Sequence, residues 1–260
     1  MTSVPADRNL STSVARAFEL LDAISGAGPD GMTLGELAAT VTTAKSTTHR
    51  YVTTLLELGA LRREADGRLR LGLRLVELAG AMLEGDNLRG AAEPVLHDLV
   101  ARTGETVHLG VPSEGMVVYV AKVESPQTVR LVSRIGARIP FHSSAMGKAL
   151  LARMDATELE AELARPRDVR TMHTITGRDA LVAEIERVRE QGYSIDDQEN
   201  ELGVRCVGTA IVNGRGRALA AISVSAPEAR MPLERCADVA PVVRSAAAEI
   251  ARRLGVGSSA

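Results

Sequence analysis

The 260-residue chain has no tryptophan, three tyrosines and two phenylalanines. Its cores must therefore be assembled from Leu, Val, Ile and Ala, and stacking of bases on aromatic platforms is disfavoured as a binding mode. Cys206 and Cys236 are the only cysteines. They are too few for a disulfide framework or a four-thiolate metal site, so reduced thiols in a cytoplasmic protein are expected. No run approaches about 18 uncharged apolar residues, and the opening MTSVPADRNLSTS lacks an apolar signal core, which disfavours membrane spans and secretion. A large excess of one charge sign is also missing, with 31 Lys and Arg against 33 Asp and Glu. The formal net charge is −2, which excludes a uniformly basic coat protein but leaves room for a local basic patch. What remains is ordinary globular composition, 45% hydrophobic and 25% charged, over a length that suits two domains at roughly 100–200 residues each.

Helical spacing dominates the first 60 residues. After a polar arm over about residues 1–12, Ser13 is placed to cap a helix whose apolar positions are Val14, Ala17, Phe18, Leu21 and Ile24. Gly26, Gly28, Pro29, Asp30 and Gly31 end it. Thr33 and Glu36 have the spacing of a capping box, and the helix they open carries Leu34, Leu37, Ala38 and Val41 on one face. Thr43 is a candidate cap for a third helix, from Ala44 to about Leu58, with Gly59 as its terminating glycine. Two short extended runs, 60–64 and 68–72, meet at Asp66-Gly67, a strong hairpin signal. Three short helices and a hairpin outline a winged helix-turn-helix. A further helical stretch, Leu73 to about Leu83, runs into Glu84-Gly85-Asp86-Asn87, a candidate hinge.

The second half alternates. A helix over 91–102 leads into candidate strands 106–111 and 116–123 around Pro112-Ser113-Glu114-Gly115, with a further strand candidate at Val129–Ser133. Helices are expected at about 144–154, 157–163 and 177–191. Strands follow at 204–212 and 218–225, around Asn213-Gly214-Arg215-Gly216-Arg217, and then a terminal helix at about 233–254. Hairpins flanked by helices imply an α+β domain with a mainly antiparallel sheet.

Chemistry-bearing residues gather in two places. On the third helix, Thr48, Val52 and Leu55, with Tyr51 beside them, have the spacing of a packed face. That leaves Lys45, Ser46, Thr47, His49, Arg50 and Thr53 outside, as cations, hydroxyls and an imidazole able to approach base edges and phosphates. From residue 44 to 74 seven cations stand against three acids, a local excess of +4 on a negative chain. In the second half, His142-Ser143-Ser144-Ala145-Met146-Gly147-Lys148 opens a helix. It resembles a phosphate loop only weakly, because His142 and Ala149 occupy positions that need Gly and Ser/Thr. The Ala145 and Met146 amides there are candidates to hold a small anion. The acidic run Asp196–Glu201 has no histidine nearby in sequence and reads as a solvated loop more readily than as a metal site. Ser223 and Ser225 share one strand face, and Cys206 lies on the neighbouring strand.

The segments SVARAFELLDAI (from Ser13), LGELA (from Leu34), AKSTTHRYVTTLLELGALRR (from Ala44), GRLRLGLRLVELA (from Gly67), HSSAMGKALLA (from His142) and DDQENELGVRCVGTAIVNGRGRALAAISVSAP (from Asp196) resemble those of IclR-type transcriptional regulators. The resemblance runs over nearly the whole chain, in order. Ala44 stands where many members have Pro, and Thr48 where an aliphatic residue is usual.

That resemblance implies an α+β protein. It would comprise a winged helix-turn-helix (1–72), a linker helix (73–88), a GAF-like effector-binding domain (89–256) and a disordered tail (257–260). It further implies a homodimer or homotetramer that calls for no cofactor or metal. Lys45, Ser46, Thr47, His49 and Arg50 would face a palindromic double-stranded DNA operator, with Ser13, Arg16, Arg62, Arg68 and Arg70 as candidate phosphate contacts. Ala145, Met146, Asp196, Cys206, Ser223 and Ser225 would surround a small-molecule effector, such as a small oxo-acid or a ureide. The expected activity is regulation of transcription, most simply repression. The alternative is an enzyme acting on a small metabolite in the second domain, with the first as a DNA tether. No Gly-x-Ser-x-Gly or His-Glu-x-x-His supports that alternative.

Overall fold

The computed structural model describes residues 11–41, 43–84, 87–129 and 131–256. The first ten residues of the polar arm, the Gly85-Asp86 pair of the hinge and the tail 257–260 lie outside them. The chain divides into two compact units, residues 1–85 and 86–260.

In the first unit, α1 (Thr12–Gly26), α2 (Leu34–Thr40) and α3 (Lys45–Glu57) are followed by the hairpin β1 (Leu61–Arg63) and β2 (Leu69–Leu71), then by α4 (Leu73–Glu84). Leu20, Ile24, Leu37, Val52, Leu55, Leu61 and Leu69 form the core. The Thr33/Glu36 capping box is present with both hydrogen bonds made. Three local expectations need correction. Ser13 lies inside α1, whose N-cap is Ser11 with no side-chain bond. The buried stripe of α1 runs through Ala17, Leu20, Leu21 and Ile24, leaving Val14 56% and Phe18 62% exposed. Two overlapping stripes fit the helical period here, and tertiary packing selects between them. Thr43 is not the cap of α3, because Ala44 takes that place without a side-chain bond and the Thr48 hydroxyl bonds back to the Ala44 carbonyl at 3.3 Å.

The wing turn is also longer than its Asp-Gly signal implies. Gly67 alone has positive φ there, +82°. The Gly67 amide donates to the Glu64 carbonyl, and the Glu64 amide to the Arg68 carbonyl. This is a three-residue loop closed by one left-handed glycine.

The second unit contains α5 (Asn87–Thr103), β3 (Thr106–Ser113), β4 (Met116–Val123), β5 (Arg138–Pro140), α6 (Ala145–Leu151), α7 (Ala156–Leu163), α8 (Arg178–Gln191), β6 (Ser194–Asp197), β7 (Val204–Val212), β8 (Ala218–Pro227) and α9 (Leu233–Arg253). Six strands pair antiparallel throughout in the order β5-β4-β3-β8-β7-β6. One sheet face packs on α5 and α9 through Val107, Leu109, Val207, Ile211, Ile222 and Val224. The other packs on α6, α7 and α8, around Val117, Met146, Leu150, Leu159, Ile185 and Ala221.

Two strand expectations differ from the structure. The described part of Val129–Ser133 is irregular, and the edge strand is β5 instead. The first residues of the acidic run belong to β6, which pairs with β7. Pro112 is tolerated within β3 because β8 pairs only with residues 106–110, so no ladder bond on that side is lost.

Candidate functional site

Two surfaces carry the predicted residues. On α3, Thr48, Val52 and Leu55 are buried in the head core, while Lys45, Ser46, His49 and Arg50 are exposed and Thr47 is half-buried. The Arg50 guanidinium lies 5.8 Å from the centre of the Tyr51 ring, a cation–π contact that leaves its charge uncompensated. Around this helix, Ser13 is exposed and Arg16 pairs with Glu19 at 2.6 Å. Arg62 and Arg70 sit opposite each other across the hairpin and share Glu64, at 2.8 Å and 3.7 Å.

Arg68 departs from its expected role. It donates to the backbone carbonyls of Asp30 at 2.8 Å and Gly31 at 3.0 Å, and it reaches the Glu36 carboxylate at 3.2 Å. Its guanidinium ties the wing to the turn before α2 and is not a free cation. The Thr33 amide and hydroxyl, followed by Arg68, hold the Glu36 carboxyl below its usual range. Conversely Arg63, counted in the basic excess but not singled out as a contact, is exposed. Like Lys45 and Arg50, it makes no ion pair among the described residues.

The second surface is enclosed. Strand register sets Asp196 opposite Cys206 and Cys206 opposite Ser225. One step along, His108 lies opposite Ser223 and Ser223 opposite Gly208. Alternation then points His108, Ser223 and Ser225 away from the α5/α9 core, toward α6. A Cβ at Gly208 would come within 2.9 Å of the Ala145 backbone, so glycine there lets the start of α6 close against the sheet. Between them is a cavity of about 50 Å³ lined by Ala145, Met146, Asp196, Cys206, Ser223 and Ser225. All six predicted residues thus meet. Residues that sequence reasoning passed over join them, notably His108, Tyr119, Ser133, Asn200 and Glu201. The alternation Val107-His108-Leu109 hints at the sidedness of His108, but only the register brings it to Ser223.

The electrostatics of the cavity follow from burial. Asp196 accepts from the Glu199 amide at 2.8 Å and the Asn200 amide at 3.3 Å. Burial, then the nearby Glu199 carboxylate, nevertheless push its pKa up to about 7, against the pull of Lys148. His108 stacks on Tyr119 with ring centres 4.5 Å apart, and its Nε2 and the Ser133 hydroxyl are hydrogen-bonded at 2.7 Å. Burial, with Lys122 nearby, drops its pKa to about 3, so the imidazole is neutral. Burial likewise raises the Tyr119 phenol and the Cys206 thiol, keeping both neutral.

Beneath the cavity Lys148, 1% exposed, donates to the Ile195 carbonyl and to Glu199, and pairs with Glu184 at 3.0 Å. That engagement removes the residual likeness to a phosphate loop, whose lysine must be free to reach a ligand. No group of three metal-ligating side chains occurs among the described residues. Nor is any described helix long and apolar enough to cross a membrane.

Comparison with known proteins covers both units. Residues 13–65 match the IclR helix-turn-helix domain, and residues 80–252 match the bacterial transcriptional regulator IclR C-terminal domain. The HTH-type transcriptional regulator KdgR of Escherichia coli is 35% identical over 246 residues, covering 94% of this chain and 93% of that protein. The crystal structure of the Thermotoga maritima IclR superposes with a TM-score of 0.76 at 34% identity, covering 94% of this chain and 98% of that one. An IclR homologue from Microbacterium hydrocarbonoxydans complexed with 4-hydroxybenzoate superposes at 0.80 with 26% identity, covering 94% and 99%. From the recognition-type helix to the polar chamber on the sheet, this chain belongs to the IclR family of helix-turn-helix transcriptional regulators.

Proposed function

We propose that the protein is a one-component, ligand-responsive regulator, most simply a repressor. Residues 1–72 serve as the DNA-binding head, 73–88 as the linker and 89–256 as the effector-binding domain. Lys45, Ser46, Thr47, His49 and Arg50 face the major groove of a palindromic operator, with Ser13, Arg16, Arg62, Arg63 and Arg70 around them on the phosphates. A palindrome calls for a dimer or tetramer. Val14 and Phe18 on the head and Leu73 and Val76 on the linker helix, all exposed, support association of two chains.

The observation that carries the effector reading is the convergence of Asp196, Cys206, Ser223, Ser225, Ala145 and Met146 on one small cavity. Its size favours a ligand of few heavy atoms, a small oxo-acid or a ureide, over a substituted ring like the one bound by the Microbacterium relative. Asp196, with its pKa near 7, accepts from a ureide N–H or, protonated, donates to an oxo-acid oxygen, and the two serines serve an acceptor at the other end. The enzyme alternative is weakened by the same residues. Ser225 Oγ lies 3.4 Å from His108 Nδ1, but an imidazole with a pKa near 3 is a poor base for activating a hydroxyl near neutrality. The Cys206 thiol, raised by burial, is equally inert.

A thermal-shift screen with glyoxylate, pyruvate and ureides tests the reading. A true effector at about 100 times its Kd raises stability by about 2.7 kcal/mol, and Ser223→Val removes that shift. Turnover of any of these compounds, or a shift that survives Ser223→Val, contradicts it.

A further inference from the structure

A second cavity, of about 310 Å³, lies on the effector unit and shares no lining residue with the first. Its floor is apolar: Leu150 at the end of α6, Met154 just beyond it, and Ala218 at the start of β8, all packed on the core beneath α6–α8. Its rim is charged, and nearly every charge there is already answered. The Glu158 carboxylate meets Arg217 at 2.6 Å, and Glu162 meets Arg165 at 3.0 Å. Arg153 is the exception. It lines the cavity, is exposed, and makes neither a side-chain hydrogen bond nor an ion pair among the described residues. Nothing in the DNA-binding or effector reading uses this groove.

We infer that the groove binds a small amphipathic monocarboxylate, its short apolar body on Leu150, Met154 and Ala218 and its carboxylate on Arg153. The volume stands at the low end of small-molecule sites, about 300–1,000 Å³. A single uncompensated cation at the rim selects one negative charge, and guanidinium is suited to hold a carboxylate by two parallel hydrogen bonds. The unbranched, polarisable Met154 side chain lets the floor adapt to the tail. The site is independent of the effector reading, because its lining comes from the end of α6 and the residues after it, α7, Pro112 of β3 and the β8 end of the hairpin, and includes none of the effector residues.

The test uses the full chain labelled at methionine methyls, with hexanoate as the probe. Met154 reports on this groove and Met146 on the effector cavity, and Met154→Leu assigns the former signal. Titration is expected to move the Met154 methyl along a saturable curve with Met146 unchanged, and Ser223→Val leaves that curve intact. Arg153→Gln, at an exposed position, weakens binding about tenfold, and 1-hexanol, which keeps the tail and lacks the charge, binds correspondingly weaker. Ala161→Leu, filling the groove from its exposed side, abolishes the response while operator affinity is retained. An unmoved Met154 overturns the inference, and so does equal binding of hexanol and hexanoate or equal binding by Arg153→Gln. A change of oligomeric mass with hexanoate also overturns it, since the groove would then be covered by a second copy of the chain.

Discussion

The two units of this protein treat charge in opposite ways. In the head, among the described residues, the uncompensated cations Lys45, Arg50 and Arg63 stand in solvent, and the apolar core beneath them contains one buried polar side chain, Thr48. In the effector unit Lys148, Glu184, Glu199 and Asp196 are all buried together, and the lysine is almost fully desolvated. Surface cations are suited to a polyanion met from outside, where affinity comes from counterion release and falls with salt. Buried charges act differently. They make a cavity whose shape depends on every partner being present, because a charge left alone in the interior is expensive.

Removing Lys148 should therefore break the comparison hardest. Lys148→Ala leaves the buried Glu199 carboxylate without its cation and Glu184 with Arg187 alone, and is expected to destabilise the effector unit by about 3–5 kcal/mol. Chemical denaturation followed separately in the two units should show the head transition unmoved. A shift of both together would deny that the units are energetically distinct.

On the head, Arg50→Ala should weaken operator binding by about 1–3 kcal/mol if the side chain reads a base, with no loss of thermal stability. Gel-shift titration and calorimetry on the same sample separate the two effects. Arg68 and Arg63 sharpen the contrast within the wing itself. Arg68→Ala should lower head stability by about 1–2 kcal/mol through its lost carbonyl and carboxylate bonds, with little change in the slope of log affinity against log salt. Arg63→Ala should do the reverse, lowering that slope by about one unit at unchanged stability. Identical behaviour of the two variants would contradict the assignment of Arg68 as a tie.

The smallest expected effect is one of pH. Asp196 titrates near 7 in the fold, well above an ordinary aspartate, so the folded unit binds the extra proton. Between about pH 4 and 7 the native state holds more protons than the unfolded chain, and the stability from this group is lost as pH rises through that window. The raised Glu199 carboxyl acts in the same direction. Denaturation of Asp196→Asn should accordingly give a flatter stability profile between pH 4 and 7 than the parent protein.

The head was more legible than the cavity for a physical reason. A helix repeats every 3.6 residues, so the buried Thr48-Val52-Leu55 face and the exposed Lys45, His49 and Arg50 follow from spacing within one element. The same rule misassigned α1, where Val14 and Phe18 compete with Leu20 for one stripe and only packing decides. The cavity depends on register between strands far apart in sequence. The shared face of Ser223 and Ser225 could be read locally, but His108 beside Ser223 depends on the β3–β8 pairing across more than a hundred residues. β6 was hidden because its Asp196-Asp197 pair has the composition of a loop. Arg68 and Arg63 look alike in sequence. The carbonyls of Asp30 and Gly31 distinguish them, and no local pattern announces those.

The central claim is that occupancy of the cavity around Asp196, Cys206 and Ser223 governs the grip of the α3 surface on DNA. Operator Kd, measured with and without the effector found in the thermal-shift screen, tests it in the parent protein and in Ser223→Val. The account predicts a ligand-induced change of roughly 5- to 150-fold in the parent, the usual range of coupling between sites. It predicts the same ligand-free Kd and no change in the variant. A variant that loses DNA binding without ligand, or one that still responds fully, would contradict it.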